Sequence, residues 1–449
     1  MWSNEEIKNV KLGDKRLDVR LSKIVEIFTE NPTQSIPEAC GSAAATKATY
    51  RFLANEKVDA KKIITGAIQS TVEKISQEKE VVFAVDTTEI DYSSHQGVSG
   101  LGHLGRISSQ GIMLHSTLAI STTGNPFGIV EHAAWSRNIA TIGKHKFKKN
   151  FLFKEKESYR WAESLRQVEK IVPPHIHAIV VADREADIYD LFALDRANNV
   201  DLIIRSAHDR LLTESHQKLF AFLASQPAAG TFVIVVPRSG KRKERTATLE
   251  VRFSPITLPT PSRGKSEIKK DIPLIAIEVK EISTTDEPIL WRLLTTMNDA
   301  NSLDGAIRYA QLYSKRWLIE RFHYTLKSGC KVEDLQLETR DRLMRALAIY
   351  TIVACRLLHI TYAARTTPDA PCTAFISEAY WKALFCFHNK AMKAPKKPCT
   401  IREAVFLIAK LGGFLGRKSD GFPGVKVLWR GLTRLDDIVE IYSVFKGKK

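Results

Sequence analysis

Three carboxylates in this chain could share a hard cation: Asp86, Asp183 and Glu320. Asp86 and Asp183 each follow an unbroken apolar run, Val81-Val82-Phe83-Ala84-Val85 and Ala178-Ile179-Val180-Val181-Ala182. Runs of that length and composition read as strands covered on both faces. Functional groups of open α/β sheets collect at the carboxyl ends of strands, so two aspartates delivered there suit a divalent metal. They equally suit the capping of turns, as Asp86-Thr87-Thr88 and Asp183-Arg184-Glu185.

The pattern from Leu303 to Leu326 predicts one helix, with Tyr313, Arg316, Glu320 and Lys327 following at steps of 3, 4 and 7 residues. At about 100° per residue they fall within roughly 60° of one another, while Leu318, Phe322 and Leu326 form an apolar stripe opposite. An acid between two cations and a phenol suits a metal ion beside a phosphate held by Arg, Lys and Tyr donors. An ordinary surface pair from Arg316 to Glu320 has the same spacing.

Other elements must position these groups. Residues 1 to about 75 read as short amphipathic helices with turns at Gly13-Asp14, Asn31-Pro32 and Cys40-Gly41. After Asp183 come a helical stretch through Leu191-Phe192 and a strand at Leu202-Ile203-Ile204-Arg205. Residues 231–296 are rich in β-branched residues, Pro and Gly, with strands at 231–236 and 274–279 and turns at 238–243 and 259–264. Helical pattern returns from Leu303, with a break at Thr367-Pro368 and a Pro/Lys-rich linker at 393–398.

The chain has 449 residues, 44% of them apolar, and a formal net charge of +17. That length exceeds one hydrophobic core and predicts several domains, and the charge favours a polyanionic partner. No uncharged apolar run reaches the roughly 18 residues of a membrane span, and the first residues lack a signal-peptide core, so the expectation is a soluble, cytoplasmic, DNA-associated protein with no membrane partner. Six scattered cysteines, none in a CxxC, indicate neither a zinc ribbon nor a disulfide framework and read as reduced thiols. The run Gly143-Lys144-His145-Lys146-Phe147-Lys148-Lys149 suits a DNA-contacting loop or a solvated one.

The spacing Tyr313-x2-Arg316-x3-Glu320-x6-Lys327 resembles the signature of the bacterial DDE transposases of insertion-sequence family four, which includes the transposase of transposon five. Asp86-Thr87-Thr88 resembles the family's first acidic motif, Asp183-Arg184-Glu185-Ala186-Asp187 its second, and Arg205-Ser206-Ala207-His208 the basic strand that follows. Leu12-Gly13-Asp14 with Arg16 and Arg20, and Tyr50-Arg51-Phe52, resemble the end-recognition domain, and Leu411-Gly412-Gly413-Phe414 the dimerisation domain.

The resemblance implies an α/β multidomain protein: a helical DNA-binding domain over 1–75, a ribonuclease-H-like catalytic core over 76–368 with a β-rich insertion at about 231–296, and a helical dimerisation domain over 369–449. It implies a cut-and-paste transposase in which Asp86, Asp183 and Glu320 hold two Mg2+ ions, replaceable by Mn2+. The ends of the element are cleaved through a hairpin and joined to target DNA, within a synaptic homodimer on double-stranded DNA.

Tyr313, Arg316, Lys327 and Arg205 would contact DNA, and Trp291 would stack on a base flipped from the hairpin, although a core Trp is the plainer reading of that residue. Arg16, Arg20, Lys47, Tyr50 and Arg51 would contact the element's end, although solvated helix faces explain each singly. Rival readings are another nuclease on the same core and an inactivated element acting as an inhibitor. Phosphate contacts release counterions, so affinity for end DNA is expected to fall by about 10³ or more between 50 and 200 mM salt, measured by filter binding; a flat response would contradict the charge argument.

Overall fold

Among the elements described in full in the computed structural model, the helices α1 (Lys15–Glu30), α2 (Ile36–Cys40), α3 (Ala43–Ala54) and α4 (Ala60–Ile75) precede the first strand. Strands β1 (Glu80–Asp91), β2 (Gly102–His103), β3 (Gln110–Ser121) and β4 (Pro126–Trp135) follow, then α5 (Arg160–Ile171), β5 (His177–Ala182), α6 (Tyr189–Ala193), β6 (Val200–Arg205) and α7 (Leu219–Ser225). Strands β7 (Gly230–Val236), β8 (Arg245–Leu258), β9 (Ile272–Glu281) and β10 (Leu290–Thr295) lead to α8 (Leu303–Ser314), α9 (Trp317–Tyr324) and α10 (Arg340–Thr366). Helices α11 (Glu378–Asn389), α12 (Ile401–Leu411) and α13 (Val425–Lys446) come last.

The structure describes residues 6–446 apart from 96, 107, 139, 141, 143–150, 237–244, 262–265, 283–287 and 418–419. The basic run 143–149, the turn 238–243 and residues 262–264 of the second expected turn lie outside the described residues. Two compact units result, one from residues 78–86 and 143–317, the other from 1–77, 87–142 and 318–449. The chain passes between them four times: before β1 at 77–78, inside β1 at 86–87, at 142–143, and at the start of α9 at 317–318.

In the smaller unit β1, β5 and β6 pair in parallel, and β10, β9, β8 and β7 continue the sheet as an antiparallel meander. The parallel part is buried from Ala178 to Ala182 without a break, whereas β7 and β8 alternate buried and exposed positions. Continuous burial matches the apolar runs in the sequence, and alternation matches a sheet with one wet face. Helix α8 packs on β8 and β9, and its Ala306, Tyr309 and Ala310 are buried.

The larger unit begins with helices whose ends the sequence marks. Asp14 caps α1, Ser35 and Glu38 form a capping box on α2, and Ser42 caps α3. Leu21, Ile24, Val25 and Phe28 give α1 one buried face. Strand β3 pairs with β4 and neighbours the distal half of β1, and this β3–β4 hairpin was not anticipated from the sequence.

Helix α10 runs for 27 residues, is long and apolar enough to cross a membrane, and has 83% of that apolar window buried within the fold. Arg356 interrupts its apolar run, and burial pushes this guanidinium down to about 9. Around its end Ile360, Trp381, Leu384, Ile401, Ile408, Leu428 and Leu435 form the C-terminal core. A Cβ at Gly412 would meet the Val427 carbonyl oxygen at 1.7 Å and one at Gly431 the Ile408 oxygen at 1.8 Å, so α12 and α13 cross where only glycine fits.

At the amino ends of the parallel strands, His177 Nδ1 is 3.1 Å from Glu80 Oε1 and Nε2 is 2.9 Å from Asp201 Oδ2. Arg308 donates to both Glu80 oxygens at 2.5 and 2.7 Å. The hydrogen bond to Asp201, then that to Glu80, raises His177 to about 9 against the effect of burial. A raised histidine contributes stability that is complete below its ordinary value near 6.5 and is lost as pH rises through about 9. With the side chain a third exposed, solvent screening leaves about 1–2 kcal/mol of this. Urea unfolding at pH 6 and pH 9.5 should therefore show wild type losing that amount relative to His177→Gln; parallel losses would mean that the carboxylates do not hold the charge.

Candidate active site

The last registered pair between β1 and β5 is Val85 with Ala182, so the next residue on each strand is an aspartate, Asp86 and Asp183. Neighbouring strands lie about 4.8 Å apart, which sends the two carboxylates out from adjacent points. Contrary to the sequence expectation, β1 does not end at Asp86 but continues to Asp91. What ends there is its pairing with β5, and burial drops from complete over 81–85 to partial over 86–88. Asp183 Oδ1 accepts the Glu185 amide at 2.9 Å and caps a short 3₁₀ turn, so the capping reading of this aspartate holds as well.

The single helix expected over Leu303–Leu326 is broken. Its amide bonds switch from four residues back to three at Lys315 and Arg316, α8 ends at Ser314, and α9 ends in a π-turn over Thr325–Gly329. The 100° stripe is therefore not continuous, and Tyr313, expected on an open face, is 3% exposed. Leu318, Phe322 and Leu326 are buried, as their spacing implied.

Around the aspartate pair the smaller unit gathers Arg316, Tyr313, Arg205 and Trp291. Arg316 Nη1 lies 4.0 Å from Asp86 Oδ2. The Trp291 and Tyr313 rings meet edge to face at 5.5 Å, and Trp291 is only partly buried, which disfavours the plain core reading. Arg205 Nη2 donates to the Leu290 carbonyl at 2.9 Å. Burial raises the Tyr313 hydroxyl above its ordinary value while Arg316 and Arg205 oppose it, so the phenol stays protonated and able to donate.

Asp187 is a structural residue whose role was missed in the sequence. It is 2% exposed and accepts from the amides of Ala207 and His208 at 2.7 and 2.9 Å, from Ser206 Oγ at 3.2 Å and from Arg210 Nη1 at 2.5 Å. It thereby fixes the turn that follows Arg205. An acid two residues beyond Glu185 was the available signal, but its partners lie some twenty positions downstream.

Glu320 and Lys327 belong to the larger unit. Glu320 is half-buried on α9, whose core side carries Leu318, Ile319 and Phe322. Lys327, on the π-turn, donates to the Glu89 carbonyl at 2.9 Å and pairs with Glu333 Oε1 at 3.0 Å, and the same oxygen accepts the Asp91 amide at 2.9 Å.

In the same unit Lys47, Tyr50 and Arg51 share one face of α3 and line an open cleft of about 840 Å³ with Ser42, Thr46 and Arg342. Arg342 was not among the residues singled out in the sequence, because nothing local ties α10 to α3. Arg16 and Arg20 stand on α1 outside that lining, and the Arg16 guanidinium is bound to Asp14 at 2.9 Å.

Among the described residues no three His, Cys, Asp or Glu side chains stand close enough to hold one ion. The Asp86 and Asp183 pair nonetheless offers the carboxylate oxygens that hard divalent cations take, beside arginines suited to a phosphodiester.

This site chemistry agrees in class with three family matches. A transposase DNA-binding domain model matches residues 1–58, a transposase DDE domain model residues 154–356, and a transposase Tn5 dimerisation domain model residues 352–445. The chain belongs to the Tn5-like DDE transposases. It is thus a DNA transposase with domains for DNA binding, for strand cleavage and transfer, and for dimerisation. Asp183 and Glu320 fall inside the DDE match, and Asp86 lies upstream of it.

The cap at Asp183 has a separable consequence. Asp183→Ala is expected to lose about 0.5–2 kcal/mol of stability and Asp183→Asn almost none, read from urea midpoints. Equal midpoints for both variants would show that the cap contributes nothing.

Proposed function

We propose that the protein is a cut-and-paste transposase with Asp86, Asp183 and Glu320 as its catalytic acids. The observation that carries this reading is the β1–β5 register, which sets Asp86 beside Asp183 with Arg316 at 4.0 Å. A ribonuclease-H-like core is supported by the antiparallel β3–β4 pair neighbouring one half of β1 and parallel β5 and β6 continuing from the other. We also propose the division into a DNA-binding domain over 1–75, a core over 76–368 with its β-rich insertion, and a dimerisation domain over 369–449.

The carboxylates would hold two Mg2+ ions, which stabilise the entering and leaving oxygens of each phosphoryl transfer. Arg316 and Lys327 would hold the phosphates and Tyr313 would donate to one of their oxygens; for Lys327 this means leaving the Glu89 carbonyl and Glu333. Water first breaks a phosphodiester at the end of the element and frees a 3′-hydroxyl. That hydroxyl attacks the opposite strand to make a hairpin, and after the hairpin is opened by water it attacks target DNA. The partly exposed Trp291 face would take the flipped base, with Arg205 beside Tyr313. Lys47, Tyr50 and Arg51, with Arg16 and Arg20, would read the element's end.

The test incubates full-length protein and Mg2+ with its own gene in native flanking DNA. Wild type should excise it with hairpinned ends, Glu320→Ala should cut at least about 10³-fold more slowly while binding end DNA as wild type does, and Trp291→Ala should slow hairpin formation more than the first nick. Nicking without joining by wild type would instead indicate a nuclease. Loss of binding together with cleavage in Glu320→Ala would remove Glu320 from the catalytic set.

A further inference from the structure

Six cysteines without CxxC spacing offer no pairing in the sequence, but the fold brings two of them together in the segment matched by the dimerisation model. Cys372 opens a short 3₁₀ turn before α11, and Cys399 precedes Thr400, the cap of α12. Pro371 and Thr400 form an antiparallel bridge, which makes Cys372 and Cys399 the next opposed pair, and the Cys372 amide donates to the Cys399 carbonyl at 2.9 Å. Opposed residues of antiparallel strands have Cα atoms about 4.5–5.5 Å apart, inside the range of about 4.4–6.8 Å that a disulfide spans. The two Sγ atoms are already 3.6 Å apart.

We propose that Cys372 and Cys399 form a dithiol site that a small soluble disulfide of the glutathione class oxidises to one intramolecular disulfide. Cys399 is partly exposed and Cys372 is fully buried, so the external oxidant meets Cys399 first. The hydrogen-bonded contact between the two sulfurs holds the Cys399 thiol below its ordinary value and pushes Cys372 up, so that Cys372 keeps its proton. Lys396 and Lys397, both exposed, precede Cys399 in the chain and suit an anionic oxidant.

The Cys399 thiolate attacks one sulfur of glutathione disulfide, forming a mixed disulfide and releasing one glutathione thiolate. Cys372 then gives its proton to solvent and attacks the Cys399 sulfur, forming the internal bond and expelling the second glutathione. Two protein thiols are oxidised and one external disulfide becomes two thiols. The other cysteines are poorly placed to compete: burial pushes Cys355 up to about 12 and Cys330 higher still, and Cys386 is buried. Cys40 lies on α2, against Thr49 at 3.4 Å.

The internal bond closes residues 372–399 into a loop that contains α11 and fastens it to the start of α12, so it constrains the matched dimerisation segment directly. The experiment treats full-length protein with excess glutathione disulfide, blocks remaining thiols by alkylation, and maps peptides without reduction. A Cys372–Cys399 linked peptide is expected, with two fewer free thiols than the initial six and a melting temperature several degrees higher. Cys372→Ser should stop at one glutathione adduct on Cys399. Retention of all six thiols, a bond between any other pair, or a stable glutathione adduct in wild type would overturn the proposal. None of these readouts depends on cleavage of DNA.

Discussion

The parallel pairing of β1 with β5 is the constraint on which the candidate site rests. Side chains along a strand alternate between faces, so a slip of one residue would send Asp86 to the opposite side of the sheet from Asp183. Five consecutive apolar residues on each strand, all buried, hold the register, because either strand would expose that run if it moved. Burying each such side chain contributes about 1.5–3 kcal/mol, far more than two partly exposed aspartates lose by facing one another. The core thereby imposes a juxtaposition of like charge that the aspartates would not adopt alone. The network of Glu80, His177, Asp201 and Arg308 secures the other end of the same strands with opposite charges in alternation.

A second consequence concerns the cations beside those acids. Burial opposes the charge on Arg205, a cost that a phosphate oxygen would relieve, and it keeps the Tyr313 phenol protonated as a neutral donor. Arg205 is secured by the Leu290 carbonyl, and the turn after it is fixed by Asp187. Donors held in this way need little rearrangement to meet a developing negative charge, which is the property that electrostatic catalysis requires.

Legibility in the sequence followed the range of the forces involved. The strands leading to Asp86 and Asp183 were readable because five-residue apolar runs reflect burial on both faces, and the turns between α1, α2 and α3 because turn chemistry is local. The break at Lys315 and Arg316 was not readable, since the helical periodicity of buried residues continues on both sides of it and only the backbone bonding changes. The β3–β4 hairpin was not readable because His115, Ser116 and Thr117, all buried, interrupt the apolar run of β3. Asp187, Arg342 and the Cys372–Cys399 pair depend on contacts between residues distant in sequence, for which spacing carries no signal. Lys47, Tyr50 and Arg51 share a face by helix geometry, yet the addition of Arg342 of α10 to the cleft they line depends on tertiary packing.

Helix α10 then explains how separate tasks coexist in one unit. At about 1.5 Å per residue its 27 residues span about 40 Å, and the DDE and dimerisation matches meet within it at 352–356. Near its start Arg345 donates to the carbonyls of Val58 and Leu53 at 2.7 and 3.0 Å, and Tyr350 stacks on Phe28 at 4.6 Å, both anchoring the amino-terminal helices. Its last turns join the core that α11, α12 and α13 enclose. A helix buried on most sides cannot bend locally without opening that packing. One continuous helix thus packs against both the helices of the DNA-binding match and the core of the dimerisation match.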